Sequence, residues 1–252
     1  MSILFLTAAG AANPDVAAQF GLIPALNEGG PISWSIFIVM VIMSVFSFYI
    51  MFTKLFEQQK VLNQYKEVRA QFWRAATLEE GAAKLDKNSA YRQVVDDGIA
   101  AQKQHGLLTD PGEAHDWIHN ALERSKDAIN SKLSTGLPFL ATVGATAPFV
   151  GLLGTVIGIY SALIKIGIAG QADIGKIAGP VGEALIMTAI GLFVAVPAVL
   201  AYNWLQARNK TIASSLAVFS NELIGFMSSD GRLKPAPTAA AVGKPAPAAV
   251  KK

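Results

Sequence analysis

The residue best placed to do chemistry in this sequence is Glu183, in a run from Ile177 to Leu205 that holds no other Asp, Glu, Lys, Arg or His. It lies six residues into that run, roughly 9 Å along a helix. A charge near the centre of a membrane span costs about 2.5–3.5 kcal/mol on insertion scales, so such residues face a bundle interior or water and carry function. A carboxyl held there can take up and release a proton. No Lys, Arg or His lies in any of the chain's long apolar windows to neutralise it, so its partner is expected from another polypeptide.

Thr155 and Thr188 are the other candidates for a proton pathway with Glu183. A hydroxyl both donates and accepts, so it can hold a water or proton chain. The plainer reading is small polar packing residues bonded back to their own helix. Glu183 and Thr188 are five residues apart, about 140° around an ideal helix, so a path using both must run between helices.

Two motif echoes lead elsewhere. GQADIGK at 170–176 has Walker A spacing, but Ile177 occupies the Ser/Thr position and no strand precedes it. His115 and His119, with Asp116, resemble a zinc-protease helix, but Asp replaces Glu and a third ligand is missing. Solvated or partner-facing histidines are the better reading. Without a catalytic, metal-binding or cofactor-binding constellation, the sequence reads as a non-enzyme.

Composition sets the environment of these residues. The chain has 252 residues, 52% hydrophobic and only 15% charged, which is unusual for a soluble globular protein. The charge is segregated into some stretches and missing from others, as a membrane protein with aqueous loops requires. A net charge of +3, with no basic cluster interleaved with aromatics, gives no support to nucleic-acid binding. The absence of Cys removes disulfides, thiolate metal sites and a Cys nucleophile.

Three windows are long enough to cross a hydrocarbon core, which takes roughly 20 helical residues. Ile32 to Thr53 follows the Gly29-Gly30-Pro31 breaker and ends at Lys54. Leu133 to Ile164 is longer than a bilayer needs, so its cytoplasmic end should project from the membrane. The third starts at Ile177. The resulting division is an external N-terminal segment at 1–31, spans at 32–53, 133–165 and 177–205, a cytoplasmic helical domain at 54–132, a short external loop at 166–176, a cytoplasmic helix at 206–231 and a disordered tail at 232–252.

Orientation follows from the Lys and Arg count. Residues 1–32 have none and 167–176 have one, whereas 57–132 hold eleven and the chain from 206 holds seven. By the positive-inside rule the N-terminus is outside and the C-terminus inside. SILFLTAAGAA near the N-terminus looks like a signal peptide but lacks a positive n-region, so it reads as an external, part-helical segment.

The cytoplasmic region reads as helical throughout. Thr77 with Glu80, and Asp110 with Glu113 behind Pro111, match the capping-box pattern. With no proline between Pro111 and Pro138, one helix is expected to continue through Glu123, Lys126 and Lys132 into the second span, and the first span is expected to extend past Lys54 toward Trp73. The tail after Arg232 is Pro- and Ala-rich with scattered Lys, the composition of a disordered segment.

Small residues recur at three and four spacing in two spans. The stripes are Ala141, Gly144, Pro148, Gly151, Thr155, Gly158 and Ala162, then Ala184, Thr188, Gly191, Ala195 and Ala198. Helices in lipid associate closely where small residues let backbones approach, so Gly144, Gly151, Gly158 and Gly191 are candidate helix-packing positions.

LPFLATVGATAPFVGLLGTVIGIYSAL from Leu137 and GPVGEALIMTAIGLFVAVPAVLAYN from Gly179 resemble the second and third spans of the MotA/TolQ/ExbB proton-channel family, its ExbB branch above all. The resemblance implies an all-α integral membrane protein whose three transmembrane helices extend into a cytoplasmic helical domain and which assembles as a ring, a pentamer, in the bacterial inner membrane. It implies an ExbD-like single-span partner carrying a pore Asp, a TonB-like partner, and use of the proton-motive force to energise outer-membrane uptake of iron chelates and vitamin B12. By motif position Glu183 is the membrane carboxylate, Thr155 the Thr of GLLGT and Thr188 the Thr of MTAIG. A TolQ-like role in envelope integrity with TolR and TolA is the alternative, as is a passive membrane scaffold. A MotA-type stator would have four spans rather than three.

Overall fold

The computed structural model describes residues 23, 26–27, 30–75, 77–107, 114–169, 174–229 and 231–233, with the side chains of 114, 165, 169, 174–180 and 183 outside that description. Among the described residues the helices of three or more turns and the short helix between them are, in order, α1 Gly30–Gln71, α2 Leu78–Ala83, α3 Ala90–His105, α4 Ala114–Ser134, α5 Leu137–Ala169 and α6 Ile174–Ser228. Among the described residues there is no strand, and the fold is all-α. Three helical stretches are long and apolar enough to cross a membrane, with mean hydropathies of 2.4, 1.9 and 2.4 in their most apolar windows. They correspond to α1, the α4–α5 run and α6, and they make the chain an integral membrane protein.

Local chemistry explains the helix ends. Gly30 has a φ of 69° and Pro31 occupies the first turn of α1, where its missing N–H costs nothing. α1 then runs 42 residues, past Lys54 as expected, and tightens into a 3-10 turn at Phe72–Arg74. Thr77 caps α2, its hydroxyl accepting from the Glu80 N–H at 3.2 Å, and Glu79 and Glu80 place negative charge at the positive end of the helix. The second capping pattern, Asp110 with Glu113, lies outside the described residues, as do residues 1–22 and the tail from 234.

The expected single helix from the cytoplasmic region into the second span is two helices. α4 ends at Ser134, and Gly136, with a φ of 86°, turns the chain before α5 starts at Leu137. The Thr135 N–H closes the last turn of α4 onto the Ser131 carbonyl at 3.1 Å, and the Phe139 N–H opens α5 from the Gly136 carbonyl at 3.1 Å. A left-handed glycine just past a helix end is a common helix stop, and Pro138 follows it two residues on, in the first turn of α5. Pro148, by contrast, lies inside α5 without ending it.

The chain divides into two compact units. One comprises the residues up to Lys54 together with Gly136–Gln206; the other comprises Leu55–Thr135 and the chain from Ala207. The first has small buried clusters, such as Val143, Ala147, Val194, Ala195 and Ala198, and another around Met40 and Met187. Its outer faces carry large apolar side chains, with Phe149 70% and Phe193 74% exposed, as helices immersed in lipid require. The second unit has a water-soluble type of core centred on Phe219, whose ring lies 5.3 Å from Tyr91, 5.5 Å from Phe72 and 5.8 Å from Trp73. Polar ties join α1 to α6 in this unit, among them Arg208, which donates to Gln59 Oε1 at 2.7 Å. The Gln58 amide donates to Asn209 Oδ1 at 2.7 Å in a buried contact, and Arg69 donates to Glu222 Oε1 at 2.8 Å.

Candidate functional site at the crossing of α5 and α6

Glycines set how closely α5 and α6 approach. A Cβ at Gly151 would lie 2.8 Å from the Met187 carbonyl oxygen, 3.1 Å from Thr188 Cα and 3.2 Å from Gly191 Cα. One at Gly191 would lie 2.7 Å from the Ala147 carbonyl oxygen and 3.1 Å from Gly151 Cα. The obstructing atoms are backbone, which cannot move aside as a side chain can, so the two helices meet main chain to main chain. At Gly144 a Cβ would overlap Val199 Cγ2, and Gly158 is buried.

Around this contact the small-residue stripes lie largely inward. Gly144, Gly151, Thr155, Gly158 and Ala162 of α5 and Ala184, Gly191, Ala195 and Ala198 of α6 are buried, while Ala141, Pro148 and Thr188 are half-buried. The stripe omitted Ala147 and Gly154, which share the same face; a Cβ at Gly154 would lie 2.9 Å from Met187 Cβ. Their signal was present, since Ala147 is three residues past Gly144 and Gly154 three past Gly151. The stripe followed the four-residue steps there instead.

The three candidate proton-path residues are placed as follows. Thr155 is buried, and its hydroxyl donates to the Leu152 carbonyl at 2.6 Å. Its single proton is thereby committed, leaving the oxygen free to accept. Thr188 is half-buried with its Cα against Gly151, one turn of α5 from Thr155. The crossing thus brings the Thr155 and Thr188 segments together. Glu183 is helical, in the turn of α6 before Thr188, and its side chain lies outside the described residues. His115 and His119 stack with ring centroids 6.3 Å apart and planes 7° from parallel, and His119 Nε2 lies 3.7 Å from Glu123 Oε1. Among the described residues no group of three or more His, Cys, Asp or Glu could hold a metal ion.

Chemically, this arrangement offers the Thr155 hydroxyl oxygen as an acceptor near the Thr188 segment, with backbones too close to admit larger side chains. Hydroxyls so placed can hold a water or pass a hydrogen bond between the two helices. The sequence model of the MotA/TolQ/ExbB proton channel family matches residues 86–217. The chain is 37% identical over 244 positions to the biopolymer transport protein ExbB of Xanthomonas campestris pv. campestris, an alignment covering 90% of this chain and 96% of that protein. It is 35% identical over 212 positions to the ExbB of Neisseria meningitidis, covering 78% of this chain and 92% of the relative. The Tol-Pal system protein TolQ of Pseudomonas aeruginosa is 34% identical over 172 positions, covering 65% of this chain and 72% of TolQ. With a family model spanning half the chain and relatives aligned along most of it, this protein belongs to the MotA/TolQ/ExbB proton channel family.

Proposed function

We propose that the chain is the proton-conducting motor subunit of an ExbB-type complex in the bacterial inner membrane. In this reading a ring of copies, a pentamer, surrounds the single-span helices of an ExbD-like partner. The proton-motive force drives relative movement of ring and partner, and a TonB-like protein passes the work to outer-membrane uptake of iron chelates and vitamin B12. Glu183 is the proton-binding group, with Thr155 and Thr188 along the path. The observation that carries the reading is the backbone contact of Gly151 with Thr188 and Gly191, which sets the Thr155-bearing segment of α5 against the segment of α6 that carries Thr188 and, in the turn before it, Glu183.

The distribution of Lys and Arg supports an external N-terminus and a cytoplasmic C-terminus. Glu183→Gln keeps the shape of the side chain and removes its titration. The variant is expected to assemble normally with its partners while iron-chelate uptake in a strain lacking the native copy falls to background. Wild-type uptake by an assembled Glu183→Gln complex would leave the passive-scaffold reading in its place. The second active reading, a TolQ-like subunit, is favoured by the identity to TolQ over 172 positions. Complementation separates the two: restored iron-chelate uptake marks the ExbB role, and restored detergent resistance of an envelope-defective strain marks the TolQ role.

A further inference from the structure

The second unit holds an open groove of about 290 Å³ between α3 and α4, separate from the helix crossing. Its floor is alanine, with Ala100 and Ala101 from α3 and Ala121 and Ala128 from α4. Its walls are polar: Gln93, Asp97 and Gln104 on one side, Arg124 on the other. At the base Ser125 is only 4% exposed, and its buried hydroxyl has no hydrogen-bond partner among the described residues. A buried hydroxyl without a partner is costly, so the groove is built for something that supplies one. Asp97 and Arg124 face the same space without an ion pair to each other. The walls are held in place, because the Trp117 indole donates to the Ala101 carbonyl at 3.0 Å and ties α4 to α3.

The groove is rich in donors: a guanidinium, two amides and a hydroxyl, against a single carboxylate. Its complement is a strand rich in carbonyl acceptors, with small side chains to fit the alanine floor and a cation for Asp97. A proline-rich segment has that make-up, since proline lacks an N–H and a polyproline II backbone leaves its carbonyls unpaired. The chain contains such a segment twice, Lys234-Pro-Ala-Pro237 and Lys244-Pro-Ala-Pro247.

The tail also leaves α6 beside these helices. Near the end of α6, Leu223 and Met227 pack against Gly98, the residue after Asp97, and Gly231 closes the helix with its N–H on the Phe226 carbonyl at 2.9 Å. From Leu233 the ten residues before Lys244 reach about 31 Å at 3.1 Å per residue, longer than the groove's roughly 17 Å run from Gln93 to Gln104. We infer that the second Lys-Pro-Ala-Pro copy, residues 244–247, docks in the α3–α4 groove of its own chain. Lys244 pairs with Asp97, and the proline-flanked carbonyls accept from Arg124, Ser125 and the glutamine amides.

The chain has no cysteine, so a disulfide can report the contact directly. Full-length chain carrying Ala100→Cys with Ala246→Cys, in its native membrane under mild oxidation, should form an intramolecular disulfide at least tenfold faster than a control with Ala83→Cys on α2. Adding Asp97→Asn or Lys244→Glu should slow it at least fivefold. A rate equal to the control overturns the assignment. So does a disulfide-linked dimer as the main product, which would hand the groove to a neighbouring copy's tail. Because no step uses Glu183, the result is independent of proton conduction.

Discussion

At Gly151 the next atom beyond the missing side chain is a carbonyl oxygen of the neighbouring helix. Even Gly151→Ala must force α5 and α6 apart, and Gly151→Leu is expected to block assembly of the proposed ring, as native mass measurement would show; an oligomer of the wild-type mass would contradict it. A different single residue governs behaviour at alkaline pH. Burial, and then the nearby Tyr65, push the Tyr91 hydroxyl above its ordinary value of 10. The folded state therefore keeps a proton that the unfolded chain releases. That contribution is fully present below about pH 10 and is lost as pH rises beyond it. Denaturant midpoints should fall across pH 10 to 11 in the wild type, and Tyr91→Phe should flatten that fall.

Among the elements, Gly136 is where expectation and structure part. Its φ of 86° suits glycine, and a Cβ there would also sit 3.2 Å from Ile50 Cγ2. Gly136→Ala should cost about 1–2 kcal/mol, the usual penalty for a side chain in the left-handed region, measurable by chemical denaturation in detergent. This stop was not legible in the sequence, because a glycine beside a long apolar run is ambiguous until its φ is known. The long spans were legible for the opposite reason. An uncharged run such as Ile32 to Thr53 satisfies its backbone in lipid only as a helix. The packing stripes were legible too, since glycine in a membrane helix has few other uses. Arg69 with Glu222 was not legible, because a pair 153 residues apart depends on the register of α1 against α6, which local spacing does not encode.

For the whole molecule, the two units are stabilised by different physics. The membrane unit relies on close backbone packing within lipid, whereas the other buries aromatic side chains away from water. Phe219, in contact with three other rings, should be the most sensitive position of the second. Phe219→Ala is expected to destabilise it by about 3–5 kcal/mol, seen as early loss of the Trp fluorescence change during denaturation while membrane insertion persists.

The backbone passes between the units at three places: after Lys54, before Gly136 and after Gln206. At Lys54 and Gln206 the passage lies in the middle of a helix, and at Gly136 it lies at a left-handed turn. An unbroken hydrogen-bonded helix resists torsion along its length, and a single glycine resists it hardly at all. In mechanical terms α1 and α6 are drive shafts and Gly136 is a swivel. A twist applied at one end of α6 reaches the other along an unbroken hydrogen-bonded rod, whereas α4 and α5 are joined only through the turn at Gly136.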